Sequence, residues 1–449
     1  MLKGYLVPHP PLIVRGVGDG TEIPGTRAAY DQIGAEVAEY DPDVAVIISP
    51  HSVLYADYFH ISPGESASGS FARFNCPQVR FDVTYDSELA DRIAEFAVHC
   101  GIPAGFGGEK DKALDHGVMT PLYFIKCKTI VRVSLSMLPF ITQYRFGMCI
   151  KQAIHALGRK AVIVASGDMS HKLGGQYGFS EEGVAHDRYV RACVEQSDIR
   201  RIFNIDPDLA ESAAECGLRS LMIMCGAFDE SRVKSECLHY EAPFGVGYLT
   251  ARFAADEPTD SLLPLITADK NARLQDARRG EDAYVRLARA NVEHYVKTGK
   301  TIALPNDLPH EILTCEAGVF VSIKKNGNLR GCIGTIAPTC KNIASEIIQN
   351  GVSACSRDPR FEPITPDELG DLTYSVDVLN APEPIGDKSQ LDVKKYGVIV
   401  TSGIRRGLLL PNLEGVDDID EQVGIAMRKG GIKPTDSYEL ERFEVARHK

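Results

Sequence analysis

The stretch VAVIISPHS, residues 44–52, decides the fold of this chain, because a run of apolar residues ends directly in a polar turn that carries His51. The same arrangement occurs near the start, where Lys3–Val7 leads into PHPPL with His9. Short runs rich in β-branched residues, separated by segments with helical spacing, are typical of an α/β fold with a largely parallel or mixed sheet. Both histidines then follow strands of that sheet.

Similar runs recur over the first half of the chain and predict one α/β domain with a mixed sheet over residues 1–255. The predicted strands are Lys3–Val7, Val44–Ser49, Phe59–Ile61, Ile130–Leu135 and Ala161–Ala165, with a closing strand at Gly245–Ala254. Helical spacing is found in Ser87–His99 and Phe146–Leu157.

Residues 256–274 mix Pro, Asp and Thr without a sheet pattern, which predicts a linker. Residues 275–449 predict a second, smaller domain, α+β or α/β. Its predicted elements are helices at Gly280–Thr298 and Lys341–Asn350 and strands at Ala317–Lys324, Leu372–Leu379 and Gly397–Thr401. The charged C-terminal YELERFEVARHK, residues 438–449, is predicted to be a solvated end.

Bulk properties exclude several classes of protein. A chain of 449 residues favours two or three domains, and we expect two. A net charge of −12 argues against a nucleic-acid partner. No signal peptide and no apolar run of roughly 18 residues is visible, so we expect no membrane segment. The 12 cysteines are scattered and form no CxxC pair, which favours reduced thiols and a cytoplasmic location.

Four histidines lie in polar turns or loops beside apolar runs: His9, His51, His116 and His171. Ligands of α/β sheets bind outside the carboxyl ends of the strands, so His9 and His51 would project into one crevice. A single histidine is more simply explained as a turn or core residue. Four in this setting favour a metal site. Asp115 and Asp168, close to two of them, are interpreted as turn formers and helix caps, or as groups that orient an imidazole.

Two histidines and one carboxylate form a facial triad that leaves coordination positions open on ferrous iron. The best third ligand is Glu215, in ESAAECGLRS before an apolar helix, with Cys216 and Glu241 as competitors. Tyr5, Tyr177 and Phe179 are candidates for an aromatic wall beside the substrate.

The motifs HPP at His9, SPH at His51, DHG at His116, SGDMSH at His171 and ECG at Glu215 resemble, in that order, the class III extradiol ring-cleavage dioxygenases, which are LigB-like and related to the Memo proteins. The resemblance spans about residues 1–254. It implies that His9, His51 and Glu215 bind Fe(II), that His171 is the general base, and that His116 hydrogen-bonds bound oxygen or a substrate hydroxyl.

The implied enzyme is a non-heme iron extradiol dioxygenase in the catabolism of aromatic compounds, with a catechol-like or polyhydroxylated aromatic and dioxygen as substrates. Memo-like relatives place a cysteine among the metal ligands, and Cys216 stands beside Glu215. A thiolate favours a softer metal such as zinc or copper. The alternatives are therefore a Memo-like metal-binding or redox scaffold without ring cleavage, or an oxygen-independent metal-dependent lyase or hydrolase. Assembly into a homo-oligomer stays open.

The second resemblance is to the AMMECR-type domain, over about residues 270–445. It rests on GVFVSI, on LRGCIGT at Leu329–Thr335, on DPRFEPITPDEL and on GVIVTSGIRRGLLLPN. This resemblance implies a fold but no reaction. Cys332 is interpreted as a buried small side chain, or as a thiol whose pKa the nearby Arg330 lowers.

Overall fold

The computed structural model describes residues 2–18, 20–108, 113–325, 327–413, 416 and 418–449. It divides into two compact units, residues 1–270 and 271–449. Within the described residues, none of the helices combines the length and the apolar character that crossing a membrane requires.

The first unit alternates strands with helices. Its strands are β1 (Lys3–Val7), β2 (Val44–Ser49), β3 (Phe59–His60), β4 (Ser66–Phe71), β5 (Cys76–Tyr85), β6 (Ala104–Gly105), β7 (Thr129–Ser134), β8 (Ala161–Ser166), β9 (Ser231–Glu241) and β10 (Tyr248–Pro258). Its helices are α1 (Pro24–Tyr40), α2 (Ser87–His99), α3 (His116–Ile125), α4 (Phe140–Leu157), α5 (Glu181–Glu195), α6 (Ile199–Ile202), α7 (Pro207–Ser212) and α8 (Leu218–Ala227).

One eight-stranded mixed sheet organises this unit, with strand order β4-β5-β7-β2-β8-β1-β10-β9. The central strands β7, β2, β8 and β1 run parallel, and β10 is antiparallel to β1. Alternate residues of β2 pack on opposite faces: Val44, Val46 and Ile48 join one core, and Ala45 and Ile47 join the other. Burial on both faces explains why the strand is continuously apolar.

The mixed α/β fold predicted from the sequence is confirmed, with differences in detail. Phe59–Ile61 was predicted in the main sheet, but β3 pairs with β6 in a separate two-stranded sheet, and Ile61 makes an isolated antiparallel bridge to Val133 of β7. Helix α4 begins at Phe140, six residues before the prediction, because Pro139 provides its N-cap. The pattern also missed β5 and β9, whose alternating exposure gives them few consecutive apolar residues.

The segment predicted as a linker, residues 256–274, carries regular structure. Strand β10 continues to Pro258, and helix α9 (Leu263–Gly280) follows. Its low share of apolar residues explains why no pattern was visible, since Ile266 alone is buried along this helix. The predicted domain bounds themselves stay a prediction.

The second unit is α+β. Its elements after α9 are α10 (Ala283–Thr298), α11 (His310–Thr314), β11 (Gly318–Lys325), β12 (Asn328–Gly334), α12 (Ile343–Ser356), β13 (Leu372–Leu379), β14 (Glu383–Ile385), β15 (Gly397–Ser402), β16 (Arg405–Leu409), α13 (Ile419–Lys429), β17 (Glu439–Phe443) and β18 (Val445–His448). They form two antiparallel sheets, ordered β12-β11-β13-β18 and β14-β17-β15-β16.

The charged C-terminus is not a solvated end. Residues 439–443 form β17 in the second sheet, and residues 445–448 form β18 at the edge of the first. The charges are compatible with strands because they lie on the open sheet face or in ion pairs, as Arg442 does with Glu383.

Candidate metal centre

The carboxyl ends of three neighbouring strands place the histidines together. Strand β8 lies between β2 and β1, and all three are parallel. His9 follows β1, His51 follows β2, and Asp168 and His171 follow β8. Parallel strands end at one edge of a sheet, so these turns converge there.

His116 reaches the same edge from a helix. It is the first residue of α3, whose N-cap is Asp115, and the Asp115 carboxylate accepts the backbone N–H of Val118 at 3.1 Å. Ser49 and Ser52 donate hydroxyl hydrogen bonds to the same carboxylate at 2.6 and 3.1 Å. Asp115 is therefore a helix cap that also ties α3 to the end of β2.

The four histidines predicted from the sequence line one cavity of about 780 Å³. The ring of His51 stacks on that of His116 with centroids 4.2 Å apart, and the His9 ring meets both edge to face. The Nε2 atoms of His9 and His51 lie 3.0 Å apart. Two imidazole nitrogens thus face each other at a spacing that two ligands of one ion can adopt.

Buried His9 is oriented for ligation. Its Nδ1 lies 3.0 Å from the hydroxyl of Ser166. When Nδ1–H donates to that hydroxyl, the lone pair of Nε2 is free for a metal. Burial, and next the neighbouring His51, lower the pKa of His9 to about 3, so the ring is neutral at physiological pH. Neutral imidazole is the form that binds metals.

The pKa values of the two neighbouring histidine rings are lowered as well. Burial, followed by the proximity of His9 and His51, lowers the pKa of His116 to about 4. Partial burial of its ring also lowers the pKa of His51. The cluster is therefore a set of neutral donors rather than a cationic patch.

Cys216 is the thiol of this cluster. Its Sγ lies 3.8 Å from Nε2 of His9, and it accepts the backbone N–H of Asp168 at 3.2 Å. Burial, and next Asp168, raise the pKa of the Cys216 thiol well above its ordinary value. Among the described residues, the donor atoms of His9, His51 and Cys216 lie within 4.8 Å of one another, as do those of Asp168, His171 and Cys216.

A close approach of two glycines brings Cys216 to this position. A Cβ atom at Gly167, directly after β8, would lie 2.1 Å from the Cα of Gly217. The loop after β8 and the start of α8 therefore touch through their backbones, and the N–H of Cys216 donates to the carbonyl of Asp168 at 3.1 Å. Glycine is needed because no side chain fits between the two segments.

The two other predicted third ligands lie elsewhere. The carboxylate of Glu215 accepts the backbone N–H of Leu218 at 2.6 Å, which places it at the N-terminus of α8. The carboxylate of Glu241 accepts both the N–H and the hydroxyl of Thr26 at 2.7 Å. In the described part of the chain, neither carboxylate belongs to a group of donor atoms close enough to share an ion.

Asp168 and His171 complete the cavity wall. The Asp168 carboxylate accepts the N–H of His9 at 2.9 Å, and burial raises its pKa despite that hydrogen bond. Nδ1 of His171 is buried and has no hydrogen-bond partner among the described residues. The ring of Tyr177 lies 5.6 Å from that of His171 and lines the cavity, whereas Tyr5 is buried in the core and Phe179 is exposed.

No sequence pattern marks the residues that hold the loop of His171 in place. The Asp187 carboxylate on α5 accepts the N–H of Ser170 and contacts Nδ1 of His186, each at 2.8 Å. The Tyr240 hydroxyl donates to its second oxygen at 2.8 Å. A carboxylate within an amphipathic helix is indistinguishable by pattern from a surface charge, so only the packing reveals this role.

In the second unit, Cys332 is half-buried on β12 and accepts a hydrogen bond from the hydroxyl of Ser322 at 3.2 Å. Arg330 is engaged elsewhere, by two hydrogen bonds to the carboxylate of Glu368 at 2.9 and 3.0 Å. The cation proposed to lower the thiol pKa is thus already paired.

Comparisons with known proteins agree with this architecture. The family described as the catalytic LigB subunit of aromatic ring-opening dioxygenase matches residues 3–251, and AMMECR1 matches residues 285–448. Protein CA_C1420 of Clostridium acetobutylicum is 39% identical, over 99% of this chain and 98% of its own length. A protein of Thermotoga maritima is 51% identical over 38% of this chain and 99% of its own length.

Two solved structures are also similar. Uncharacterized protein PH0010 from Pyrococcus horikoshii is 33% identical and covers 36% of this chain and 88% of its own, with a TM-score of 0.34. Uncharacterized protein JW3007 from Escherichia coli K12 is 15% identical and covers 56% of this chain and 99% of its own, with a TM-score of 0.42. On the matches over residues 3–251 and 285–448, this chain belongs to the LigB family of ring-opening dioxygenase catalytic subunits and carries a C-terminal AMMECR1 domain.

Proposed function

We propose that the first unit is a metal-dependent enzyme that opens the ring of a catechol-like or polyhydroxylated aromatic with dioxygen. The observation that carries the proposal is the grouping of His9, His51 and Cys216 within 4.8 Å, at the edge of a cavity of about 780 Å³. Two neutral imidazoles and one carboxylate are the components of a facial triad, and here the thiolate of Cys216 would replace the carboxylate. Cys216 here takes the place that the sequence interpretation gave to Glu215.

Fe(II) is the metal that we propose, because non-heme Fe(II) oxygenases hold the metal by three protein ligands and keep the other coordination positions for substrate and dioxygen. When bound, the metal would acidify a coordinated hydroxyl and bring the aromatic substrate and dioxygen together. It would also stabilise the thiolate form of Cys216, which is strongly disfavoured by burial in its absence.

His171 and His116 are the proposed acid–base groups. His171 lines the cavity, and its Nδ1 has no hydrogen-bond partner in the described part of the chain. It is the proposed base, which takes a proton from a substrate hydroxyl and returns it later. The neutral ring of His116, stacked on His51, is placed to hydrogen-bond the second hydroxyl or dioxygen. Tyr177 would pack against the ring of the substrate.

The test uses full-length protein purified under argon. Metal content is measured first, and oxygen uptake with a panel of catechols and trihydroxybenzenes follows. We expect close to one iron per chain and oxygen uptake that depends on substrate, with the His171→Gln variant retaining iron and losing uptake. Iron without uptake for any member of the panel would overturn ring opening.

A metal-binding scaffold without ring cleavage is the second candidate, and the thiol of Cys216 favours it. Zinc and copper prefer thiolate ligands over carboxylate ligands. Tight binding of zinc or copper, with no iron retained and no oxygen uptake, would support this function instead of the first.

A further inference from the structure

The thiol of Cys216 belongs to two groups of metal-binding side chains, and the proposed function uses only one of them. Its Sγ atom and the donor atoms of His9 and His51 lie within 4.8 Å of one another. The same distance holds for Sγ and the donor atoms of Asp168 and His171. In the described part of the chain, the five side chains form these two overlapping groups rather than a single set of five. One sulfur atom is therefore shared by two positions that an ion can occupy.

The carboxyl group of Asp168 is buried and pairs with no lysine or arginine in the part of the chain that the structure describes. One of its oxygens accepts the N–H of His9 at 2.9 Å. The other lies 3.9 Å from Nε2 of His9, whose ring is neutral. Buried charges in proteins are paired with an opposite charge or coordinate a metal. A divalent ion at the second oxygen would compensate the charge of this carboxylate.

His171 is the next donor of this second group. Its Nδ1 atom is buried and has no hydrogen-bond partner among the described residues. Its backbone N–H donates to the carbonyl of Ala213 at 3.0 Å, which fixes the loop that carries it. Buried polar atoms without a partner are uncommon in folded proteins and indicate a bound water or ion. Coordination of an ion through this nitrogen would supply the partner that the protein does not.

The donor atoms of the second group suit zinc. A carboxylate, an imidazole and a thiolate are all common zinc ligands, and zinc sites with three protein ligands complete their coordination with water. Asp168 and His171 line the cavity of about 780 Å³, which has room for that water. Two-metal sites hold their ions about 3.5–4 Å apart. Such a separation fits two groups of ligands that have one sulfur atom in common.

We propose that Asp168, His171 and Cys216 bind a second divalent ion, zinc, and that the thiolate of Cys216 bridges it to the ion at His9 and His51. The second ion binds after the first, because the first keeps Cys216 in its thiolate form. Only the consequence for turnover rests on the proposed function. A ring nitrogen that is bound to zinc cannot take a proton from a substrate hydroxyl. Zinc in the second site therefore inhibits ring opening while the first metal stays in place.

The first experiment counts the zinc ions that metal-free, full-length protein binds in equilibrium dialysis. The variants are His171→Gln and Asp168→Asn, whose amide oxygen still accepts the N–H of His9. His116→Gln is the matched control, because it removes an imidazole of the same cavity that belongs to neither group of ligands among the described residues. We expect two zinc ions per chain in the wild type and in the control, and one in each of the other variants. One zinc ion in the wild type, or two in His171→Gln, overturns the second site.

The second experiment tests whether the two ions share the sulfur atom of Cys216. Cobalt(II) is added to metal-free protein in place of zinc, and the electron paramagnetic resonance signal is recorded after one and two equivalents. Two high-spin ions that are bridged by one thiolate couple magnetically. We therefore expect the signal per bound cobalt to fall with the second equivalent in the wild type and in His116→Gln. A signal per cobalt that does not change overturns the bridge.

The third experiment measures inhibition. Iron-loaded protein is assayed for oxygen uptake at increasing zinc concentration, and the iron content of the same samples is determined. We expect uptake to fall by roughly a hundredfold or more with iron retained, since a general base typically contributes that much. A fall in uptake that only follows the loss of iron overturns inhibition through the second site.

The outcomes separate this inference from the proposed function. Two coupled ions in a protein that takes up no oxygen would retain the second site and contradict ring opening. Oxygen uptake by a protein that binds one ion per chain would retain ring opening and overturn the second site. A wild type that binds no metal would contradict both.

Discussion

The Sγ atom of Cys216 lies 3.8 Å from Nε2 of His9, although 207 residues separate them in the chain. The contact exists because the loop after β8 and the start of α8 meet through Gly167 and Gly217, and because the N–H of Asp168 donates to the sulfur. A thiol, and not the adjacent carboxylate of Glu215, thereby joins the histidine cluster.

Cys216→Ser is expected to weaken metal binding by at least roughly tenfold, because an alcohol is a much poorer anionic ligand than a thiolate. Glu215→Gln is the matched control. Its amide oxygen still accepts the N–H of Leu218, so metal binding and stability should change little. Metal retained after dialysis against a competing chelator is the measurement. Loss of metal in Glu215→Gln with retention in Cys216→Ser would restore Glu215 as the ligand.

Gly167→Ala is expected to lower metal affinity without removing any ligand. The added methyl would overlap the backbone of Gly217, so the two segments must separate and Cys216 must move away from His9. We expect destabilisation of about 1–3 kcal/mol as well, as for other overpacked sites. Gly370→Ala, where a Cβ meets nothing within 4 Å, is the control. Unchanged metal affinity in Gly167→Ala would show that the contact between Gly167 and Gly217 does not position Cys216.

His51→Ala is expected to abolish metal binding while leaving the fold intact. His51 lies in an exposed turn, so its removal leaves little cavity in the core. Metal analysis and a thermal unfolding curve test both parts. A variant with full metal occupancy would exclude His51 from the ligands.

Asp187→Ala is expected to disturb the site indirectly. It removes the acceptor of the buried Ser170 N–H and of the part-buried Tyr240 hydroxyl. Leaving the buried Ser170 N–H unsatisfied costs about 1–3 kcal/mol. Tyr240→Phe removes one of these hydrogen bonds and serves as the milder comparison. The denaturant concentration at the midpoint of unfolding is the measurement. If Asp187→Ala and the wild type share the same midpoint, Asp187 does not position the loop that carries His171.

The second unit offers a prediction about pH. Burial alone would raise the pKa of Glu368, but hydrogen bonds from Arg330 and Lys325 outweigh it and lower the pKa to about 2. A carboxyl with a depressed folded pKa contributes stability above its unfolded pKa of 4.5 and loses that contribution as pH falls towards 2. Wild type should therefore exceed Glu368→Gln in free energy of unfolding at about pH 6, with the difference shrinking at about pH 3.5. A difference that is constant with pH would contradict this assignment.

The sequence by itself determined the strands that carry the site. The run 44–49 is apolar because β2 is buried on both faces, and the polar turn after it exposes His51 at the sheet edge. Apolar runs that end in polar turns likewise predicted His9 after β1 and His171 after β8. A strand buried on both faces must be apolar along its length, so its position can be read from the sequence. The fold class and the two family resemblances follow from such local signals.

Tertiary structure alone decided which side chain joins the histidines. Glu215 and Cys216 are neighbours in the sequence, and which of them faces His9 depends on the conformation at the start of α8 and on its contact with Gly167. The hydrogen bond from the Ser170 N–H to Asp187 and the strands at the charged C-terminus depend equally on contacts between distant segments. Such contacts leave no periodic pattern in one sequence, because they are fixed by the packing of whole elements.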